Sequence, residues 1–171
     1  MNAHAPTEGE QADHTDRPDQ PCPPFLADAM LGRLARWLRL MGYDTTYADR
    51  MSDHQIVARA RAEGRVVLTR DQDLARRKGV RFLYIHSQVL DEQMREVVAA
   101  CGVPAPRPEP RCSECNVLLV EVTPEQAAPH VPPYVLQTQQ RFHVCPVCHR
   151  HYWAGTHWSG IEETIARVLG A

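Results

Sequence analysis

The chain has 171 residues, of which 43% are hydrophobic, and a formal net charge of −2 at neutral pH. This length accommodates one domain of ordinary size and a small second one. No apolar stretch approaches the ~20 residues that a membrane-spanning helix needs, so the composition excludes a helical membrane protein and predicts no membrane partner.

The first 24 residues differ from the rest of the chain. They hold five acidic residues against Arg17 alone, several prolines and few large apolar side chains, which predicts a disordered acidic tail. The start of the chain has no basic segment followed by an apolar run, so we expect a cytoplasmic protein. From Phe25 to Arg111 the balance reverses, since fifteen Lys and Arg face eleven Asp and Glu, and a basic surface favours an anionic partner.

From Phe25 onward, strand and helix patterns alternate. Ser52 and Gln55 have the spacing of a capping box, and Gly42 and Gly64 are helix stop signals. The predicted strands cover residues 25–29, 43–48, 66–68 and 81–86, and the predicted helices cover 31–41, 52–63, 74–78 and 90–100. Four successive βα units predict an α/β fold with a mostly parallel sheet that helices cover on both faces.

Two cysteine pairs dominate the last third of the chain. Cys112-Ser-Glu-Cys115 and Cys145-Pro-Val-Cys148 each have the spacing that presents two thiolates to one metal ion, and four thiolates complete a tetrahedral site. We expect a structural zinc ion in a small β-rich domain, with two hairpins and a Pro-rich excursion between the pairs. The same cage could hold iron. The cysteines could instead form disulfides or a redox dithiol, but a cytoplasmic location disfavours disulfides, and Pro146 suits a turn better than a helix start.

The chain ends in an aromatic segment and a predicted helix. Ser159 and Glu162 have capping-box spacing, which predicts a helix through Leu169. Its apolar residues, Ile161, Ile165 and Val168, are expected to pack back on the protein. The aromatic residues before it could stack on unpaired bases, although a small domain also needs such side chains for its own core; they are Tyr152, Trp153, His157 and Trp158.

Acidic residues follow the predicted strands. Sites in parallel sheets lie where the strands end, so these aspartates should converge on one edge, where Mg²⁺ or Mn²⁺ would offset their repulsion. Such an ion can activate water for phosphodiester hydrolysis, which favours a metal-dependent nuclease. The four predicted ligands are Asp28, Asp53, Asp71 and Asp73.

Each aspartate also has a simpler interpretation. Asp71 could cap the short helix, Asp53 could answer a helix dipole, and Asp73 could be solvated. Asp28 is different because it follows the apolar segment Phe-Leu-Ala, where a buried carboxylate is costly unless it is hydrogen-bonded or bound to a cation. Asp44 and Asp49 could also approach the site.

Arginines accompany the acidic positions. Arg33, Arg36 and Arg39 advance by threes along the first helix, on the side away from its leucines, and Arg70 directly precedes Asp71. Arginine can hold phosphate bidentately, so we expect Arg33, Arg36 and Arg70 to bind phosphate groups of the substrate. A solvated helix face would explain the same pattern.

Several separated motifs resemble the Mut-seven C-terminal RNase family. They are Phe25-Leu-Ala-Asp28-Ala-Met-Leu-Gly-Arg-Leu-Ala-Arg-Trp-Leu-Arg-Leu-Met-Gly-Tyr-Asp44, Val67-Leu-Thr-Arg70-Asp71, the paired cysteines, and Tyr152-Trp-Ala-Gly-Thr-His157-Trp158. The resemblance covers the chain from about residue 25 to its end. It implies a PIN-like nuclease domain followed by a zinc ribbon, with PIN-type acidic positions at Asp28, Asp71 and Asp73 and a helix-borne acid at Asp53.

We therefore expect a metal-dependent ribonuclease. We expect its chain to be divided into four segments: residues 1–24 form the tail, 25–104 the PIN-like domain, 105–110 a Pro-rich linker, and 111–171 the zinc ribbon with its C-terminal helix. Two different functions stay open. One is that of a non-catalytic RNA-binding or adaptor protein with the same fold. The second is that of a toxin-like PIN protein that acts on one structured RNA, although toxins of this type normally lack the ribbon.

Overall fold

The computed structural model describes residues 22–103 and 111–170, with only the backbone for residues 156–159. The predicted tail up to residue 21 and the predicted linker lie outside this part of the chain. The first described region has the elements β1 (Phe25–Ala27), α1 (Gly32–Leu40), β2 (Thr45–Tyr47), α2 (Asp53–Glu63), β3 (Val66–Thr69), α3 (Gln72–Ala75), β4 (Phe82–Tyr84) and α4 (Leu90–Cys101). A 3₁₀ turn, Ala29–Leu31, leads into α1.

The four strands form one parallel sheet in the order β2-β1-β3-β4. Every residue of the central strands β1 and β3 is buried, as expected for a parallel sheet that is covered on both faces. Side chains alternate between the faces: Phe25 and Ala27 pack with α1 and α4, whereas Leu26 packs with Ile56 and Val57 of α2. The predicted α/β architecture is therefore confirmed.

Local signals explain the boundaries of α2. Ser52 and Gln55 form the predicted capping box, and Gly64 ends the helix in the left-handed conformation, with a φ of 63°. A residue with a β-carbon is strained in that conformation, which is why glycine suits the position. The capping-box prediction is thus confirmed in both its bonds.

The second described region contains β5 (Val120–Val122), α5 (Pro124–Ala127), α6 (Pro133–Thr138), β6 (Phe142–Val144), β7 (His151–Trp153) and α7 (Thr156–Leu169). Strands β5, β6 and β7 form an antiparallel sheet. Two hairpins were expected between the cysteine pairs, and that prediction was wrong. Thr123 and Gln126 form a capping box, and a proline starts each of α5 and α6, because proline suits the first turn of a helix.

The last helix begins earlier than predicted. It starts at Thr156, with Gly155 as its N-cap residue, so Ser159 lies inside the helix and the predicted capping box at Ser159 was wrong. The prediction that its apolar residues pack on the protein is confirmed: Ile161 and Val168 are buried. Val168 joins the same core cluster as β1, α1 and α4, so this helix packs on α4, on that side of the parallel sheet. None of the helices in the described residues is long and apolar enough to cross a membrane.

Candidate functional site

The carboxyl edge of the parallel sheet, where β1 to β4 end, positions two of the predicted aspartates together. Asp28 directly follows β1 and is only 4% exposed. Its carboxylate accepts hydrogen bonds from the backbone N–H of Met30 (2.9 Å) and from the hydroxyl of Thr69 at the end of β3. Thr69 in turn accepts a bond from the backbone N–H of Asp71 at 2.9 Å. One buried hydroxyl therefore joins the two aspartate-bearing strand ends.

Asp71 caps the short helix α3. Its Oδ1 accepts the backbone N–H groups of Asp73 (2.7 Å) and Leu74 (3.1 Å), which is the hydrogen-bonding role expected of an N-cap. The residue is nevertheless exposed at the edge of the sheet. Capping uses only part of the acceptor capacity of a carboxylate, so Asp71 keeps lone pairs for another ligand.

Asp53 and Asp73 have cationic neighbours instead. Asp53 opens α2, and its carboxylate lies 3.5 Å from the guanidinium of Arg77. Asp73 lies 3.6 Å from Arg76 on the same helical turn. Among the side chains that the structure describes, no three acidic or histidine groups converge closely enough to hold one metal ion without cysteine. The structure thus brings Asp28 and Asp71 to adjacent strand ends and gives Asp53 and Asp73 ion-pair partners.

The edge still suits a magnesium-type ion. Mg²⁺ is commonly bound through one or two carboxylates together with waters and substrate phosphates, rather than by a complete protein cage. Asp28 and Asp71 would meet that requirement. Asp28 has no cationic partner in the described part of the chain, and a buried carboxylate without one is costly. The donor set therefore fits a divalent cation. Asp53 and Asp73 would have to break their ion pairs with Arg77 and Arg76 before they could bind it.

Two further aspartates lie near the two ends of β2. Asp44 precedes β2, so it lies at the amino edge of the sheet, where the strands begin, and it bonds Arg65 there at 2.7 Å. This position is at the opposite edge from Asp28, so the suggestion that Asp44 could approach the acidic site was wrong. Asp49 follows β2 at the carboxyl edge, is exposed, and lies 3.9 Å from Arg50.

The predicted phosphate-binding arginines are placed differently from one another. Arg33 and Arg36 are exposed on α1, while the Nε of Arg70 is buried and has no hydrogen-bond partner among the described residues. Arg39, which the spacing placed on the same solvated face, is only 7% exposed. It donates to the carbonyl groups of Thr45, Ser113 and Glu114 at 2.7 to 2.8 Å, so it clamps the two regions together.

The four cysteines converge as predicted. Their sulfur atoms all lie within 4.8 Å of one another. The Cys112 and Cys148 sulfurs are 3.7 Å apart, close to the edge of a tetrahedron with metal–sulfur bonds of about 2.3 Å and far from the ~2.05 Å of a disulfide. The cluster could therefore hold a metal such as zinc and is consistent with a zinc ribbon.

The same backbone turn forms at both cysteine pairs. The N–H groups of Asn116 and His149 donate to the carbonyls of Cys112 and Cys145, each at 2.9 Å. Asn116 and His149 adopt φ values of 64° and 58°, a left-handed conformation that Asn and His tolerate better than most residues. These two turns are called the first knuckle (residues 112–116) and the second knuckle (residues 145–149) below.

Hydrogen bonds favour the thiolate form of Cys112, which is the form that binds a metal. Burial raises its pKa, but the hydroxyl of Tyr152, at 3.2 Å, and the N–H of Cys115 stabilise the thiolate, so the pKa falls to about 7. Tyr152 thus serves the cluster, and Trp153 packs on the core of the second region. For these two aromatic residues the structural role is confirmed, whereas the side chains of His157 and Trp158 lie outside the described part.

Asn116 links the first knuckle to the parallel sheet. Its side chain accepts the N–H of Thr45 at 2.9 Å and donates to the Asp44 carboxylate at 2.7 Å. Sequence reasoning missed Asn116, Arg39 and Thr69. Asparagine directly after a cysteine pair is a signal for a left-handed turn, but nothing in the spacing identifies its partner on β2.

Residues 23–165 match the family described as the Mut7-C RNAse domain. The chain belongs to this family. The predicted resemblance is therefore confirmed, and the Mut7-C match spans both the parallel sheet and the four-cysteine region. The family is a nuclease type by its description, which agrees with an acidic edge on an α/β sheet. No curated protein and no solved structure gave a significant match to the chain.

Proposed function

We propose that this Mut7-C protein is a metal-dependent ribonuclease that hydrolyses phosphodiester bonds in RNA. The observation that carries the proposal is the buried carboxylate of Asp28, which has a hydroxyl and an N–H as partners but no cation in the described part of the chain. A bound cation would relieve the cost of burying that charge. The family's description as an RNase domain supports RNA as the substrate.

The proposed ion is Mg²⁺ or Mn²⁺, held at the carboxyl edge by the four predicted aspartates, with Asp28 and Asp71 as the principal pair. Such an ion supplies an activated water and offsets negative charge on the leaving oxygen. Thr69 keeps the Asp28 carboxylate in place through its hydroxyl. Asp53 and Asp73 join the set by releasing Arg77 and Arg76, which are exposed and held at 3.5 and 3.6 Å.

Arginine side chains would position the RNA backbone. Arg70 follows Thr69 beside the acidic edge, and its Nε is buried without a partner among the described residues, so the terminal amino groups of this guanidinium would contact a phosphate. Arg33, near the start of α1, has no ion-pair partner among the described residues. Guanidinium groups with unused donors bind phosphate bidentately, which would hold a phosphodiester beside Asp28 and Asp71. Arg36 would contribute from the next turn of α1.

The four cysteines have a separate role in this proposal. They would hold a structural zinc ion, because a closed set of four thiolates leaves no open position for a substrate. Through Arg39 and Asn116 the first knuckle is bonded to the start of β2. The zinc ion would therefore brace the joint between the two regions without taking part in hydrolysis.

One observation favours a second candidate, a non-catalytic RNA-binding protein. Asp53 and Asp73 face arginines, and no three carboxylates converge in the described residues. If those ion pairs persist when RNA is bound, a single pair of carboxylates remains at the edge. The protein would then hold RNA through its arginines and leave it intact.

A cleavage assay separates the two candidates. The wild-type protein and an Asp71→Asn variant are incubated with end-labelled structured and unstructured RNAs, with Mn²⁺, with Mg²⁺ or without either ion. We expect metal-dependent cleavage by the wild type and a loss of at least roughly 100-fold in Asp71→Asn, since even the partners of metal ligands are worth 10- to 100-fold.

Glu121→Gln provides the control, because this carboxylate is exposed on β5 of the antiparallel sheet and not at the carboxyl edge of the parallel one. We expect it to cleave as the wild type does. Cleavage by Asp71→Asn at the wild-type rate would remove the carboxylate mechanism. RNA binding without cleavage under every condition would favour the non-catalytic candidate.

A further inference from the structure

A groove of about 560 Å³ lies beside β2, the edge strand that pairs with β1. It lies between side chains of α1, α2 and the first knuckle, so both regions of the protein contribute to it. The residues that matter for its chemistry are Arg33, Arg36, Arg39, Arg59, Tyr47 and Glu114. Arg59 comes from α2, which packs on the opposite face of the sheet from α1.

The groove carries more positive than negative charge. Four arginines line it against one carboxylate, that of Glu114. Arg59 is also paired with Glu63 of its own helix, at 2.8 Å. Glu114 lies 3.0 Å from Arg36 and also 3.0 Å from Arg150, while Arg33 has no partner in the described part of the chain. Arg39 bonds carbonyl oxygens, and no carboxylate among the described residues forms an ion pair with it. A concave surface with this surplus attracts polyanions.

Tyr47 adds an aromatic ring to the groove. Its hydroxyl donates to the carbonyl of Ala29 at 2.9 Å, and a β-carbon placed on Gly32 would come within 3.1 Å of the ring. Glycine at residue 32 therefore allows the ring to lie closely against the start of α1. A ring held in this way beside arginines has the features of single-strand binding sites, in which bases stack on aromatic faces and the backbone follows a basic groove.

The groove leads to the proposed catalytic edge. Tyr47 is in register with Ala27, the residue directly before Asp28, and Gly32 and Arg33 begin the helix that follows the Asp28 turn. The other end is formed by the first knuckle, through Glu114 and Cys115. A chain of nucleotides lying in the groove would therefore pass from the knuckle toward Asp28.

The size of the groove argues against a double helix. Its volume falls within the range of about 300 to 1,000 Å³ that is typical of pockets for single small ligands, which is room for roughly one or two nucleotides. We propose that this groove binds an unpaired segment of the RNA substrate, with Tyr47 stacking on a base and Arg33 and Arg59 contacting phosphates. The inference rests on the proposed ribonuclease function for the identity of the ligand.

The test measures binding separately from cleavage. The full chain with its cysteine-bound metal is titrated into a labelled, unstructured RNA of about 12 nucleotides, without Mg²⁺ or Mn²⁺, over a range of salt concentrations. We expect Arg59→Gln to weaken binding roughly 3- to 10-fold and to reduce the salt dependence by about one counterion. Tyr47→Leu should weaken binding by about 5-fold or more with an unchanged salt dependence, because stacking carries no charge.

Arg95→Gln is the matched control. Arg95 is an exposed arginine on α4 whose hydrogen bond, within the described residues, is to the Arg167 carbonyl at 3.4 Å, and it does not line the groove. We expect this variant to bind as the wild type does. Thermal unfolding of all variants verifies that they are folded. Equal affinities for the wild type, Arg59→Gln and Tyr47→Leu would overturn the inference.

Two competitors establish the class of ligand. An RNA duplex of the same length should compete poorly, and so should poly-glutamate, which has charge but no bases. Tight binding of the duplex would overturn the assignment to unpaired RNA. Equal competition by poly-glutamate would assign the groove to an acidic protein instead and would likewise overturn the inference.

Cleavage of the same RNA with Mn²⁺ distinguishes failure of this inference from failure of the proposed function. Groove-dependent binding without any cleavage would support the groove and remove the ribonuclease. Cleavage and binding that are unaffected by Arg59→Gln and Tyr47→Leu would support the ribonuclease and remove the groove. A protein that neither binds nor cleaves the RNA would overturn both.

Discussion

The two edges of the parallel sheet hold their partly or fully buried carboxylates in opposite ways. At the amino edge, Asp44 is bonded by the Arg65 guanidinium and the Asn116 amide, both at 2.7 Å. At the carboxyl edge, Asp28 is more deeply buried, yet its partners in the described residues are one hydroxyl and one N–H. Asp44 therefore has partners that offset its charge, whereas the burial of the Asp28 charge is costly unless a cation binds there.

The largest expected effect comes from breaking the cysteine cluster, whose first knuckle docks at the amino edge. Cys145→Ser should lose the bound metal and unfold the antiparallel region, because metal binding in such modules is folding energy on the order of 10 kcal/mol. Metal content and the melting profile measure this loss. Cys101→Ser is the control, since Cys101 lies on α4 outside the cluster. Full metal occupancy with unchanged melting in Cys145→Ser would contradict the prediction.

At the carboxyl edge, Thr69→Val should affect chemistry more than folding. The substitution removes the hydroxyl that joins Asp28 to the Asp71 backbone, so cleavage should fall roughly 10- to 100-fold, and the Mn²⁺ concentration for half-maximal activity should rise. Rates measured across a Mn²⁺ titration provide that second readout, which a purely structural role would leave unchanged.

Thr45→Val is the matched control for Thr69. Both threonines are fully buried in strands, but the Thr45 hydroxyl has no hydrogen-bond partner among the described residues. Removing an unpaired buried hydroxyl should be neutral or slightly stabilising. Equal losses of activity in the two variants would erase the distinction between the edges.

At the amino edge, Arg39→Met should lower the stability of the folded protein. The guanidinium binds three carbonyl groups from β2 and the first knuckle, and their loss should lower the free energy of unfolding by about 2–4 kcal/mol. Denaturant unfolding measures the change. Arg95→Met, at an exposed position on α4, should change it by less than about 0.5 kcal/mol. A similar change in both variants would show that the clamp contributes little.

The smallest expected effect is that of Asp44→Asn, which should cost about 1 kcal/mol at neutral pH because the site is partly exposed. Burial raises the pKa of Asp44, but hydrogen bonds from Arg65 and Asn116 lower it by more than burial raises it, so the net shift of the pKa is downward. As the pH falls, the Asp44 carboxylate is therefore protonated in the unfolded chain before it is protonated in the folded protein, near the ordinary pKa of about 3.9. The contribution is fully present above that pH and is lost as the pH falls through the lowered pKa.

Unfolding of the wild type and Asp44→Asn at pH 7 and pH 3 tests this dependence. We expect the difference between the two proteins to shrink at the lower pH. Asp49→Asn, at an exposed position beyond β2, should give no such trend. A difference for Asp44→Asn that stays constant over the range would assign its effect to the loss of shape rather than charge.

Local patterns predicted much of the fold. The buried runs at β1 and β3, the capping box at Ser52 and the stop at Gly64 depend on neighbouring residues only, and the structure confirms them. The prolines that start α5 and α6 misled the prediction, because proline interrupts a helix but is also suited to its first turn. The start of α7 was missed because Gly155, and not a Ser or Thr side chain, is its N-cap residue.

The sequence by itself determined the α/β alternation, the two cysteine pairs and the position of Asp28 at the end of a buried strand, because each depends on spacing along the chain. The tertiary structure alone decided which charges are paired. In the folded protein Arg39 points inward to the first knuckle. Asp53 pairs with Arg77, and Asp73 pairs with Arg76. Asp28 is linked to Asp71 through the Thr69 hydroxyl. These partners are distant in sequence or lie on the same helix with several possible contacts, so only packing selects among them.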